Sequence, residues 1–231
     1  GTFTIAWAVT DLLSKIGVFG LDSSVTTFIA RAEAQGDRRR SRALFRVAVG
    51  LSLCLSVIAA AAAAIAVRAV GQRFGQPAEL VTALALVLWA MPGITLYKVG
   101  TAASRGMKVM RHDVYSRGVT ETIATSAVFL AAIAAGARAA APALGAIGGT
   151  LACGLVAVWL AAPLFDEPGV RPGSDPGLTP PAVARGLVGH AAPIAGYDLL
   201  NTLILNLDIL MLGLFIDRAP GVTLASVGVY A

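Results

Sequence analysis

Six ionisable side chains stand inside apolar stretches of this chain: Asp11, Lys15, Lys98, Glu121, Asp198 and Asp208. A charge held in hydrocarbon is costly, so each is a candidate for function. Asp11 and Lys15 are one helical turn apart with the acid on the N-terminal side, the favoured order for an ion pair along a helix. They either neutralise one another or form a polar face that lines a water-filled cavity. Asn201 and Asp208 fall about 20° apart around a helix, and Asp198 about 60° from Asn201. A polar face among leucines and isoleucines should point into a bundle or a cavity. It could conduct a proton, bind a cation or only hydrogen-bond across helices. Lys98 and Glu121 lie toward the ends of their apolar runs, where either could reach the head groups and have no part in transport.

Nothing in the sequence marks an enzyme. His112 and His190 fall at separate loop edges, where a histidine is usually a surface residue, and no Ser, Cys or carboxylate stands in a catalytic spacing. Cys54 and Cys153 sit in different apolar runs and are expected to be small core residues, so no disulfide framework, metal site or other cofactor is indicated. The net charge of +5 does not point to nucleic acid, because the basic residues occupy the connections between apolar runs instead of one patch.

The elements that must position these residues are transmembrane. Hydrophobic residues make up 57% of the 231 and charged residues 13%, with a mean hydropathy of +0.77, well outside the range of soluble domains. A bilayer is crossed by about 20 apolar residues in a helix. Six spans are expected, at 3–21, 47–67, 80–101, 118–137, 139–164 and 192–216, with a seventh starting near Val222. Alanine and leucine dominate them and the alternation of barrel strands is missing, so the predicted fold is all-α, a polytopic transmembrane helix bundle. Gly145 and Gly149, with Gly148 and Gly154 nearby, form a small-residue pattern for close helix packing.

Arginine and lysine set the expected orientation. With the first connection cytoplasmic, the cytoplasmic loops hold twelve basic residues and the opposite loops four. The first visible helix then runs from outside to inside, and the chain reads as a truncated portion of a two-bundle transporter that has lost a preceding helix. Residues 1–165 would form the first bundle, five visible helices with a basic cytoplasmic connection near 22–46. In that connection Leu21, Val25, Phe28, Ile29 and Ala32 share one helical face, as in a helix extending to or lying along the membrane surface. The cluster Arg38, Arg39, Arg40 and Arg42 serves as a topology anchor or holds anionic head groups. Residues 166–186, rich in proline and glycine, would be a cytoplasmic linker that cannot be helical from 166 to 181. Residues 187–231 would carry the sixth helix and the start of the next, with a local break at Pro193 and Gly196.

Two stretches resemble a known family. Residues 17–46, GVFGLDSSVTTFIARAEAQGDRRRSRALFR, are similar to the second helix and following cytoplasmic segment of bacterial polysaccharide flippases. These are the oligosaccharidyl-lipid exporters of the multidrug and polysaccharide exporter superfamily. Residues 206–231 resemble that family's seventh helix and the turn into the eighth, through Asp208, the pair Leu212 and Gly213, and Gly228 with Tyr230. One departure is Thr27, where members often carry arginine. The resemblance implies twelve to fourteen helices in two bundles around a central cavity, in a bacterial plasma membrane. The implied cargo is a polyprenyl diphosphate bearing an oligosaccharide, moved from the cytoplasmic to the outer leaflet. Its phosphates would meet Lys15 and Lys98. Asp11, Asp198 and Asp208 would couple transport to a proton or sodium gradient or keep the lysines oriented. A multidrug antiporter of the same superfamily and a non-transporting membrane scaffold are the alternatives.

Overall fold

With no water in hydrocarbon, a spanning segment must close its own backbone hydrogen bonds, and the Ala- and Leu-rich runs do so as helices. The computed structural model describes residues 2–73, 78–138, 140–166, 179–205 and 207. Its helices are α1 (Thr2–Val18), α2 (Leu21–Ala34), α3 (Arg38–Arg73), α4 (Ala78–Val87), α5 (Met91–Gly106), α6 (Arg111–Asp113), α7 (Thr122–Ala134), α8 (Ala141–Ala161) and α9 (Pro180–Leu205). A 3-10 turn at Leu88–Ala90 joins α4 to α5, a π-helical stretch at Val114–Glu121 joins α6 to α7, and a 3-10 turn at Ala162–Phe165 closes α8. No strand occurs among the described residues. The fold is an all-α polytopic bundle. Among the described residues, five helices are long and apolar enough to cross a membrane: Val9–Ala34, Arg38–Gly71, Val81–Gly106, Arg111–Ala134 and Ala141–Phe165.

Several boundaries differ from the sequence expectation, each for a local reason. The first span continues beyond residue 21 because Phe19 and Gly20, both at positive φ, make a tight turn that redirects the chain into α2 without ending it. The second is much longer than 47–67. Helix α3 holds 36 residues, about 54 Å at the α-helical rise, so it projects past a hydrocarbon core of about 30 Å and carries the arginine cluster on its first turns. The fourth begins at Arg111 instead of 118, since the π-helical stretch keeps its polar residues within the helix. Helix α9 starts at Pro180, where prolines are tolerated because the first helical turn has no intrahelical N–H bonds to lose, and it continues through Pro193 without the expected break. Residues 167–178 of the predicted linker, Asp208 and the segment from 208 to 231 lie outside the described residues.

Polar and aromatic contacts tie α2 to α5 and the start of α3 to the end of α8. Thr26 Oγ1 in α2 donates to the Ala102 carbonyl of α5 at 3.1 Å. Arg42 donates to Asp166 at 2.7 Å and to the Phe165 carbonyl at 2.8 Å, while Phe45 stacks on Phe165. The apolar face read from α2 does not lie on a membrane surface. Leu21, Val25, Ile29 and Ala32 are buried against α3, α5 and α9 and form the centre of the largest core cluster. Helix α9 docks on the turn before α2. A Cβ at Gly20 would lie 2.7 Å from the Ala191 carbonyl oxygen, so only glycine fits both the positive φ and the contact. Beside it, Ser24 Oγ and His190 Nδ1 share a hydrogen bond of 3.0 Å.

The histidines are therefore not surface residues. His112 is buried and bonded to Ser104 at 3.0 Å, and His190 lies within α9. Cys54 corrects the expectation in the other sense, being exposed on α3, while Cys153 is buried.

Glycines set the closest approach of helices, as the pattern in α8 predicts. A Cβ at Gly93 in α5 would collide with the backbone of Thr150 and Leu151 in α8, and one at Gly154 would lie 2.7 Å from the Gly93 carbonyl oxygen. Gly145, Gly148 and Gly149 bring α8 close to α7, where added Cβ atoms would crowd Thr125 and Val128. Gly93→Val is expected to lower unfolding stability by about 3 kcal/mol, the upper part of the range for overpacking. Gly50→Ala, at a position with open space, should leave the melting temperature unchanged or raise it. Thermal unfolding of the detergent-solubilised protein checks both.

Candidate functional site

A cavity of about 270 Å³ opens between α1, α5, the π-helical stretch and α8, and charged side chains line it. Helix α1 contributes Trp7, Asp11 and Lys15, spaced four apart and hence on one face. Helix α5 contributes Ile94, Tyr97 and Lys98, the π-helical stretch Arg117 and Glu121, and α8 Thr150 and Cys153. The close α5–α8 crossing at Gly93 and Gly154 places the residues of those two helices opposite one another.

The cavity holds three cationic and two acidic side chains. The ion pairs among the described residues, Arg38 with Glu33 at 3.3 Å and Arg42 with Asp166 at 2.7 Å, lie outside it. Asp11 and Lys15 thus do not neutralise one another as a direct ion pair, although one turn apart. Arg117 rests its guanidinium carbon 5.7 Å from the centre of the Tyr97 ring, an arrangement that orients the cation while leaving its donors available. Thr150 donates to the Ala146 carbonyl at 2.8 Å and keeps its oxygen lone pairs. An array of this kind can hold an anion with several oxygen atoms, because ammonium and guanidinium groups converge from three spans.

Of the residues singled out from sequence, Asp11, Lys15 and Lys98 come together here. Glu121 joins them. Lys98 and Glu121 are both half-buried and line the cavity. Asp198 and Asn201 are elsewhere, on α9, half-buried and exposed respectively, and do not line the cavity. Asp208, the third member of their predicted face, is outside the described residues. Arg117, Tyr97 and Trp7 are cavity residues that the sequence reading does not single out. Arg117 falls just before the span expected from 118, and the signal that could find it is its i, i+4 spacing to Glu121, which matches that of Asp11 and Lys15. Among the described residues no cluster of His, Cys, Asp and Glu is placed to hold a metal.

A family model described as polysaccharide biosynthesis protein matches residues 1–231. No curated protein and no solved structure matches the chain.

Trp7 reports the sign of the cavity's charge. In a Trp89→Phe, Trp159→Phe background, which leaves Trp7 as the sole tryptophan, iodide should quench its fluorescence more strongly than caesium does. Lys98→Gln should narrow the difference. Stern–Volmer slopes in detergent micelles make the comparison, and stronger quenching by caesium would contradict a net cationic cavity.

Proposed function

The chain belongs to the polysaccharide biosynthesis protein family, and on that premise we propose that it is a flippase for lipid-linked oligosaccharide. The cargo is a polyprenyl diphosphate carrying a short oligosaccharide, moved from the cytoplasmic to the outer leaflet of a bacterial plasma membrane. The observation that carries this reading is the convergence of Lys15, Lys98 and Arg117, from three separate spans, on one cavity. A diphosphate cannot enter hydrocarbon unaided, and a membrane-embedded cluster of cations offers it charge-assisted hydrogen bonds in place of water.

The size of the cavity supports a division of labour. About 270 Å³ falls below the ~300–1,000 Å³ of pockets that enclose drug-sized ligands, so the phosphates fit and the sugars and lipid remain outside. Asp11 and Glu121 have two roles in this scheme. They offset part of the cationic charge of the cavity without pairing directly with it, and they provide acidic groups through which a proton or sodium gradient drives release. A cationic drug would meet three like charges in the same cavity, which argues against the antiporter alternative.

Translocation of a fluorescent polyprenyl-diphosphate oligosaccharide between leaflets, measured in proteoliposomes, tests the proposal. A charge-assisted hydrogen bond contributes about 1.5–3 kcal/mol, so Lys98→Ala and Arg117→Ala should each slow flipping roughly ten-fold or more. Folded variants that flip the lipid at the normal rate would overturn the role of the cavity. Expulsion of a cationic dye on an ion gradient, with no lipid movement, would replace the flippase by the antiporter.

A further inference from the structure

The fourth span carries a second polar surface that the diphosphate cavity does not use. Along the π-helical stretch and the start of α7, Asp113, Arg117, Glu121 and Thr125 recur every four residues, and with Thr122 and Ser126 they line an open groove of about 720 Å³. On the same segment Tyr115, Val119 and Ile123 are exposed and apolar, as suits contact with lipid. The groove combines its polar stripe with the apolar side chain of Val114, a mixed surface. A polar stripe on a helix long and apolar enough to cross a membrane is expensive against lipid tails, so it calls for water or a polar ligand.

Arg117 and Glu121 belong to both spaces. The groove and the diphosphate cavity are therefore neighbours that share part of their lining. The chemistry of the two spaces differs. The cavity is dominated by three cations, whereas the groove offers two carboxylates, three hydroxyls and the edge of one guanidinium. Carboxylates accept hydrogen bonds and hydroxyls both donate and accept. This set suits a neutral ligand rich in hydroxyl groups and offers little to an anion. Thr122 illustrates the point, since its hydroxyl donates to the Gly118 carbonyl at 3.1 Å and keeps its lone pairs for a ligand donor. Gly118 has no side chain, and an added Cβ there would meet only Val114, at 3.9 Å, so this part of the groove is uncrowded.

We propose that this groove is the saccharide subsite of the transporter, in which the first sugars of the cargo lie against Asp113, Glu121, Thr122 and Ser126 while the diphosphate occupies the neighbouring cavity. The assignment rests on the reading of the cargo as a lipid-linked oligosaccharide. Arg117 and Glu121 mark the junction between phosphate and sugar, and the groove contributes to choice among saccharides where the cavity does not.

The test uses Thr122→Cys as a groove probe and Trp7→Cys, at a half-buried position of the cavity wall, as a cavity probe, each in a Cys54→Ser, Cys153→Ser background. Labelling by a water-soluble maleimide is followed in proteoliposomes with polyprenyl-diphosphate disaccharide, with the same polyprenyl diphosphate lacking sugar, and with neither. The expected result is ready labelling of both probes without lipid, the groove probe slowed several-fold by the sugar-bearing lipid and unchanged by the bare diphosphate, while both lipids protect the cavity probe. Asp113→Ala should weaken groove protection and leave cavity protection intact. Equal protection of the groove by both lipids, protection of the cavity alone, or a groove probe that water-soluble reagent cannot reach would overturn the saccharide subsite and leave the flippase reading standing. Protection at neither position would overturn both.

Discussion

Close approach of helices through glycine is the constraint on which the rest of this structure depends. In lipid no hydrophobic force draws apolar helices together, so association relies on packing and on polar contacts. Here Gly93 and Gly154 let the α5 and α8 backbones touch, and Gly145, Gly148 and Gly149 bring α8 close to α7. A methyl group at several of these positions would meet backbone atoms, which cannot move aside as a side chain can. The buried core is accordingly rich in alanine, and large side chains such as Leu155, Trp159 and Ile65 face outward. The same crossings fix the site. Tyr97 and Lys98 follow Gly93 by about one turn, Thr150 precedes Gly154 by about one turn with Cys153 directly beside it, and the cavity lies between them.

The charged lining has a physical logic that the packing alone does not explain. Three cations and two acids share one cavity, and Arg117 is held against Tyr97 instead of being locked in an ion pair. A bundle stabilised by ion pairs would have brought acid and base into contact, as it does where Arg42 ties the end of α8 to α3. Charges kept near one another but not paired remain available to a ligand. The π-helical stretch contributes to this arrangement, because its wider turn carries Arg117 and Glu121 to the lining of both the cavity and the adjoining groove, and π-helical turns of this kind are frequent at functional sites.

Much of this architecture was legible in the sequence because the bilayer imposes strong rules. Long apolar runs became helices, and the glycines of α8 became close contacts. Lys15, Lys98 and Asp11 met in one cavity, since a charge in an apolar run has few places to go. The misplacements share one cause. Arg117, His112 and the apolar face of α2 were read from their neighbours in sequence, as loop, loop edge and membrane surface, whereas tertiary contacts decided each. His112 found Ser104 eight residues earlier, and α2 found α9 across the linker. Periodicity shows that α2 has an apolar face but not what covers it. Lys98 and Glu121 show the complementary limit: their places in apolar runs do not say that they line the same cavity, which only the packing of three spans reveals.

The most direct test of the central claim, that the cavity is an anion site for diphosphate, is the affinity of the purified protein for a water-soluble short-chain prenyl diphosphate by titration calorimetry. Binding should weaken with rising salt, and Lys15→Gln, Lys98→Gln and Arg117→Gln should each reduce affinity by about ten-fold, in line with the loss of one charge-assisted bond. Affinity that is independent of salt and unchanged in all three variants would contradict the account.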